Sequence, residues 1–259
     1  MDFKIIKRKL AEILFPRDFT CDICGVETFN DNLCPQCKKT VIFNTDAVCP
    51  LCGRRTVRPE ICLECKDVPP SFHRAVSAIV HEDGGALLVK KFKNGNGYLK
   101  EFFAEILSEK IKDLPKIDGL VFVPMTKRAI RKRGYNQAAL LADSLSVRIN
   151  VPLFHGALEK VKDTREQKSL TKKERLENLK GCFRITDKNA VYGKVVLIID
   201  DVLTTGATAE TITDLLFSAG AKDVFLATVS SVEYKIKKDL NASDIRSGEQ
   251  VNKKQKPKV

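Results

Sequence analysis

The sequence predicts an α/β protein, a mostly parallel sheet with helices on both faces, preceded by a small metal-bound module. Two observations predict it. From about Phe72 onward, short apolar runs of strand length alternate with stretches whose apolar residues recur at helical spacing. Before that point, eight cysteines stand in two copies of one pattern, and large apolar residues are few. The chain has 259 residues, enough for a sizeable core in one large domain or two modest ones. Hydrophobic residues make up 43% and charged residues 30%, which excludes a disordered or collagen-like chain.

The elements follow in order. Phe3, Ile6, Leu10, Ile13 and Leu14 share one face of a first helix, which Pro16 ends. Lys7, Arg8, Lys9 and Glu12 interrupt it, so it does not read as a signal peptide. No apolar run approaches the roughly 18 residues of a membrane helix, and the expectation is a soluble cytoplasmic protein without membrane insertion. Thiols stay reduced in that compartment, so nine cysteines point to metal before disulfides.

Cys21, Cys24, Cys34 and Cys37 form two C-x2-C knuckles, and Cys49, Cys52, Cys62 and Cys65 repeat that layout 28 residues later. A two-residue gap lets a tight turn aim two sulfurs at one ion, and two knuckles complete a tetrahedral thiolate site. Eight cysteines therefore predict two closed, structural zinc sites, with iron–sulfur clusters as the lesser metal reading. Sequential pairing of the knuckles is the simplest arrangement, and crossed pairing stays open. Arg54, Arg55 and Arg58 form a small basic cluster that suits either nucleic acid or a solvated loop. Cys182 stands far from the others and reads as a core or surface residue.

In the second segment, Ala75 to Val80 reads as a strand. Leu99, Phe102, Phe103, Ile106, Leu107 and Ile111 make a helical stripe. Gly119 to Pro124 is a buried strand, and Ala138, Leu141, Ala142, Leu145 and Ile149 mark another helix. Val195 to Ile199 and Val224 to Val229 are further buried strands, joined by a helix carrying Ile212, Leu215, Leu216 and Ala219 and closed by Gly220. From Asn241 the chain is polar and basic, which reads as a disordered tail.

One segment carries chemistry. Val195 to Ile199 runs into Asp200-Asp201-Val202-Leu203-Thr204-Thr205-Gly206-Ala207-Thr208. A buried strand delivers two carboxylates at its carboxyl end. A small hydroxyl-rich turn and a helix start then supply free N–H groups for a phosphate. Adjacent acids suit a sugar's vicinal hydroxyls, or a magnesium held partly by substrate oxygens. An ordinary capped strand–turn–helix is the plainer reading.

The segment VVLIIDDVLTTGAT resembles the phosphoribosyl-pyrophosphate (PRPP) signature of type I phosphoribosyltransferases. The wider chain, from about Leu14 to Val229, resembles the ComF family of competence-associated proteins, which join a double zinc ribbon to such a domain. Leu14-Phe15-Pro16, Lys91-Phe92-Lys93, the block from Val123-Pro124 through Arg131, Arg133, Gly134, Tyr135, Asn136 and Gln137, and the series Thr164, Gln167, Arg175, Asn178 and Gly181 carry the likeness in order. Met125-Thr126 departs from the family's usual Leu-Pro, and its usual Ala-Arg after the last strand is absent.

The resemblance implies an N-terminal helix and double zinc ribbon over 1–70 and a type I phosphoribosyltransferase-like domain over 71–235, and the composition adds a basic disordered tail over 236–259. It implies that Asp200 and Asp201 hold the ribose hydroxyls. It implies that Thr204, Thr205, Gly206, Ala207 and Thr208 bind the 5′-phosphate. The loop after Pro124, with Lys127 and Arg128, would face the pyrophosphate, with Arg131, Arg133 and Lys91 as charge partners. Lys162 to Lys180 matches a mobile closing loop. The three histidines His73, His81 and His155 read as core or surface residues.

Between Lys127 and Lys180 there are fourteen basic and six acidic residues, an excess of eight within the chain's +12. That is more than one small anion requires, and single-stranded DNA is a natural further partner, with Tyr135 as a stacking candidate. The expectation is a PRPP- and magnesium-binding phosphoribosyltransferase of DNA uptake, meeting other DNA-uptake proteins. The alternatives are a non-enzymatic DNA-binding adaptor or a PRPP-sensing regulator on the same fold. No residue set identifies the acceptor.

Overall fold

Four parallel strands carry the protein: β1 (Arg74–Val80), β2 (Gly119–Phe122), β5 (Val195–Leu203) and β6 (Asp223–Ser231), in spatial order β1-β6-β5-β2. The computed structural model describes residues 20–28, 31–45, 47–164 and 172–233. The expected first helix and the basic tail lie outside the described residues. A second, two-stranded antiparallel sheet pairs β3 (Leu158–Lys160) with β4 (Phe183–Ile185), a pairing the sequence did not announce.

Alternation along the strands sends successive residues to opposite faces. Leu197, Ile199, Phe225, Ala227 and Leu120 belong to one core, with Phe92, Phe103, Leu107 and Leu141 from the helices above it. Val196, Ile198, Val224, Leu226 and Val121 belong to the other, with Ile212, Leu216 and Leu179. The first face is covered by α3 (Asp83–Lys93), α4 (Lys100–Ile111) and α6 (Gln137–Ile149). The second is covered by α7 (Lys172–Leu179) and α8 (Ala207–Ser218). The short α5 (Lys127–Arg133) caps the carboxyl end of β2, with Thr126 as its N-cap. Helices on both faces of a parallel sheet are as expected.

Several boundaries move, each for a local reason. β5 runs past Ile199 to Leu203 because its pairing with β6 continues through Asp200↔Thr228 to Leu203↔Ser231. β2 stops at Phe122, although the Val123 N–H still donates to the Ile199 carbonyl at 2.9 Å, because Pro124 has no N–H to continue. Helix α3 was not expected, because Gly84 and Gly85 in its first turn are poor helix formers. Tertiary packing imposes it. A Cβ on Gly84 would meet Thr40 Oγ1 at 2.3 Å and one on Gly85 the Val80 carbonyl at 2.2 Å.

The cysteine modules wrap the sheet from outside. Their two helical turns are α1 (Pro35–Lys38) and α2 (Leu63–Asp67). Cys21, Cys24, Cys34 and Cys37 gather at one point, and Cys49, Cys52, Cys62 and Cys65 at another, each set with its sulfurs within 4.8 Å of one another. The knuckles pair sequentially. The first module packs into the core of one face and the second into the core of the other. Between them the chain runs along the free edge of β1. Val80 N–H donates to the Ile42 carbonyl at 2.8 Å, Asn44 N–H to Ala78 at 3.1 Å and Ala75 N–H to Leu51 at 2.7 Å. On the other edge, β2 pairs with residues 152–154 through Leu120. Neither edge is left open.

The second module approaches β1 so closely that Gly53 has no room for a side chain. Its φ is +66°, and a Cβ there would lie 2.5 Å from the Ala75 carbonyl oxygen. Gly25 holds the equivalent turn in the first module at φ +77°, with open space around it. Gly53→Ala should therefore lower the melting temperature clearly more than Gly25→Ala, by about 4 °C or more beyond the shared left-handed strain. Equal losses in differential scanning calorimetry would contradict the close packing.

Candidate active site

The carboxyl ends of all four strands point the same way, and a cleft of about 580 Å³ opens there. Asp200 and Asp201 leave β5 side by side on its floor. Lys93, at the end of α3, reaches Asp201 with Nζ 3.2 Å from Oδ2. Lys160, from β3, hydrogen-bonds Thr164 Oγ1 at 3.1 Å and lies 5.5 Å over the Phe183 ring. Arg133 closes α5 at another wall, its guanidinium held 3.0 Å from Gln137 Oε1. His81, just past β1, hydrogen-bonds Ser230 Oγ through Nδ1 at 3.0 Å. Thr126 joins the wall and donates its hydroxyl to Asp163.

Beyond the acids the chain turns through Thr204, Thr205 and Gly206 into α8. Gly206 sits at φ 83°, a conformation that L side chains resist, and it is the N-cap. It offers no side chain to the first turn, so the N–H groups at the start of α8 have no side-chain cap. Thr204 and Thr208 line the cleft beside them, and a small hollow is enclosed by Asp200, Thr204, Thr205, Gly206 and Thr208. Uncapped amides, hydroxyls and the positive end of a twelve-residue helix make an anion site.

The electrostatics of the floor are lopsided. Burial, and then the charge of Asp201, push the Asp200 carboxyl up to about 7, although the Asp201 N–H, Lys93 and Lys160 oppose this. The Asp201 N–H donates to Asp200 Oδ1 at 2.8 Å. Burial lowers Lys160, and burial together with Lys93 lowers His81.

Of the residues singled out in the sequence, the fold brings Asp200, Asp201, Thr204, Thr205, Gly206, Ala207, Thr208 and Arg133 to the cleft and the hollow beside it. Lys127, Arg128 and Arg131 are exposed on α5 and do not line the cleft. Lys91 is directed elsewhere, donating to the Ile23 carbonyl of the first cysteine module at 3.1 Å. Lys93, two residues on, faces the acids instead. Sequence reasoning also passed over Lys160, and it set His81 aside as a core or surface residue. Of the expected closing loop, Lys172–Leu179 is α7, and residues 165–171 lie outside the described residues.

The two cysteine clusters suit a metal. Within each, burial and neighbouring thiols push some groups strongly up, Cys37 and Cys65 to about 12, with Cys52 raised further. Their partners Cys21 and Cys49 are lowered to about 6 and about 4 by hydrogen bonds, chiefly from Cys52 in the case of Cys49. Thiolates so close cannot all ionise alone, and a divalent cation removes that conflict. With four sulfurs converging and no fifth ligand among the described residues, these are structural Zn2+ sites.

Fold and cleft together define a type I phosphoribosyltransferase domain carried on a double zinc ribbon. Family models agree. A phosphoribosyl transferase domain matches residues 129–253 and a double zinc ribbon domain residues 10–66. "DNA utilization protein YhgH" of Salmonella typhi is 31% identical over 163 residues, spanning 60% of this chain and 71% of the relative. "Competence protein F" of Haemophilus influenzae is 29% identical over the same shares, and "Competence protein ComFC" of Streptococcus pneumoniae 33% identical over 51% of this chain and 56% of the relative. The chain belongs to the ComF family of competence-related proteins.

The raised Asp200 makes a two-sided prediction. A carboxyl whose folded value lies above its usual 3.8 weakens the fold as pH rises from about 4 through about 7. Asp200→Asn should thus raise the melting temperature at pH 8, by about 2–4 °C for each kcal/mol relieved. The gain should shrink as pH falls and vanish by about pH 3, below the usual 3.8, where the wild-type carboxyl is protonated in both states. A pH-independent shift in thermal melts would refute the assignment.

Proposed function

We propose that the cleft binds PRPP with Mg2+ and transfers its phosphoribosyl group, and that the protein serves DNA uptake in the cytoplasm. The observation that carries the reading is the strand–acid–acid–turn–helix unit of Asp200 to Thr208, set at the carboxyl end of a central parallel strand. Asp200 and Asp201 accept the ribose hydroxyls. Thr204, Thr205, Gly206, Ala207 and Thr208 hold the 5′-phosphate. Lys93, Lys160 and Arg133 supply positive charge around the leaving diphosphate. Magnesium, when bound with the substrate, neutralises diphosphate charge. The C1′–O bond breaks as a nucleophile arrives, and diphosphate departs with the bonding pair. Residues 1–70 serve as the metal module and 71–235 as the transferase-like domain, with 236–259 a basic extension.

Single-stranded DNA is the further partner in this reading. Lys127, Arg128, Arg131 and Lys132 are exposed on α5, at the rim of the cleft but outside it. Relatives named for competence and DNA utilization support the same direction.

PRPP with Mg2+ should raise the melting temperature of the wild-type protein, and Asp200→Asn with Asp201→Asn should abolish that rise. No shift and no binding heat in a well-folded sample would remove the PRPP assignment. For DNA, the triple change Arg128→Gln, Arg131→Gln, Lys132→Gln should flatten the salt dependence of single-strand binding by about 2 in log–log slope, at about 0.7 per lost phosphate contact. An unchanged slope in fluorescence anisotropy would move the strand off α5.

A further inference from the structure

Arg54 is the residue of the metal module that touches the phosphate loop. Although it belongs to a cluster of three arginines, only 6% of its surface is exposed, whereas Arg58 is open to solvent. One guanidinium nitrogen bonds Glu64, which lies between zinc ligands Cys62 and Cys65. The other donates to the carbonyl oxygen of Thr204, 150 residues away in sequence. Its backbone is fixed by the same metal site, since its carbonyl accepts from the Cys49 N–H at 2.8 Å and its N–H bonds the Cys52 sulfur. Its Nε is buried with no partner of its own. A buried guanidinium with an idle donor is costly, so its two bonds carry weight.

The Thr204–Thr205 peptide is trans, so a carbonyl aimed at Arg54 turns the Thr205 N–H the opposite way, away from the ribbon. Thr205 and Gly206 form a thin partition. On one side it faces Cys52, Arg54, Glu64 and Cys65, and on the other the hollow beside Asp200. A second tie lies next to it, where Ser71 N–H donates to Glu210 in the first turn of α8 at 2.8 Å.

We infer that Arg54 is a positioning residue that couples the second zinc site to the phosphate loop, so that zinc held by Cys49, Cys52, Cys62 and Cys65 sets the loop's affinity for phosphate. The inference rests on the reading of this loop as the 5′-phosphate site. Linkage makes the coupling reciprocal: phosphate bound in the loop must in turn hold that zinc more tightly.

The test uses the full zinc-loaded chain with Arg54→Met, which keeps the apolar stem, and Arg54→Lys, which can keep one of the two bonds. The first readout needs no ligand: amide hydrogen exchange of residues 204–208. Arg54→Met should quicken it about tenfold or more, as expected for losing a charge-assisted bond, with Arg54→Lys between it and wild type. Two zinc ions per chain should be retained, and exchange in β5 and β6 unchanged. The second readout is PRPP–Mg2+ titration, where affinity should fall by a similar factor. In wild type alone, saturating PRPP should slow chelator extraction of one zinc of the two.

Unchanged exchange at 204–208 would overturn the coupling. So would faster exchange throughout the sheet with zinc lost, which would show Arg54 to be general packing. Should Arg54→Met fail to fold, Arg54→Lys decides by the same comparison. If wild type binds no PRPP, the proposed function falls, and the exchange measurement still settles the coupling.

Discussion

A parallel sheet tolerates water on neither face, and its unpaired edge strands invite other chains. That constraint organises this protein. Five consecutive apolar residues in β5 and a nearly unbroken run of buried residues in β6 can exist only inside two layers. Helices supply most of the cover. The rest comes from a segment with little apolar material of its own, which bonded metal makes rigid enough to serve as wall. Each cysteine cluster joins a different core, and the chain between them seals the edge of β1.

The same constraint locates the chemistry. Strands that all run one way deliver their carboxyl ends to one side, where charged side chains from β3, α3 and α5 meet the acids of β5. Two carboxylates at the end of an apolar strand are unfavourable for folding, as the raised Asp200 shows. They persist beside three basic side chains and a helix start without a side-chain cap.

Much of this was legible in the sequence. Repeated cysteine spacing gave the metal sites, because ligand geometry is local to a few residues. Val195 to Thr208 was legible because a strand, its terminal acids and the following helix start are contiguous. What escaped depends on distant contacts. Helix α3 opens on two glycines, and only the atoms of Thr40 and Val80 require them. Without that helix, Lys91 and Lys93 could not be told apart. Two residues on a helix differ by about 200°, so one faces the cysteine module and the other the acids. Arg54 reads from the sequence as part of a basic cluster facing nucleic acid or solvent, because nothing near it in sequence reveals a carbonyl 150 residues on.

That separation has a consequence for how the molecule is made. The metal modules involve contacts within a few dozen residues and precede the sheet in the chain, so they can close before it once zinc is at hand. The parallel pairing of β1 with β6 cannot form until the end of the domain has been made, and closing so long a loop is slow. Until then the interior face of each ribbon has nothing to cover. Zinc shortage during translation should therefore appear as failed maturation of the transferase domain rather than as loss of an ornament at its edge.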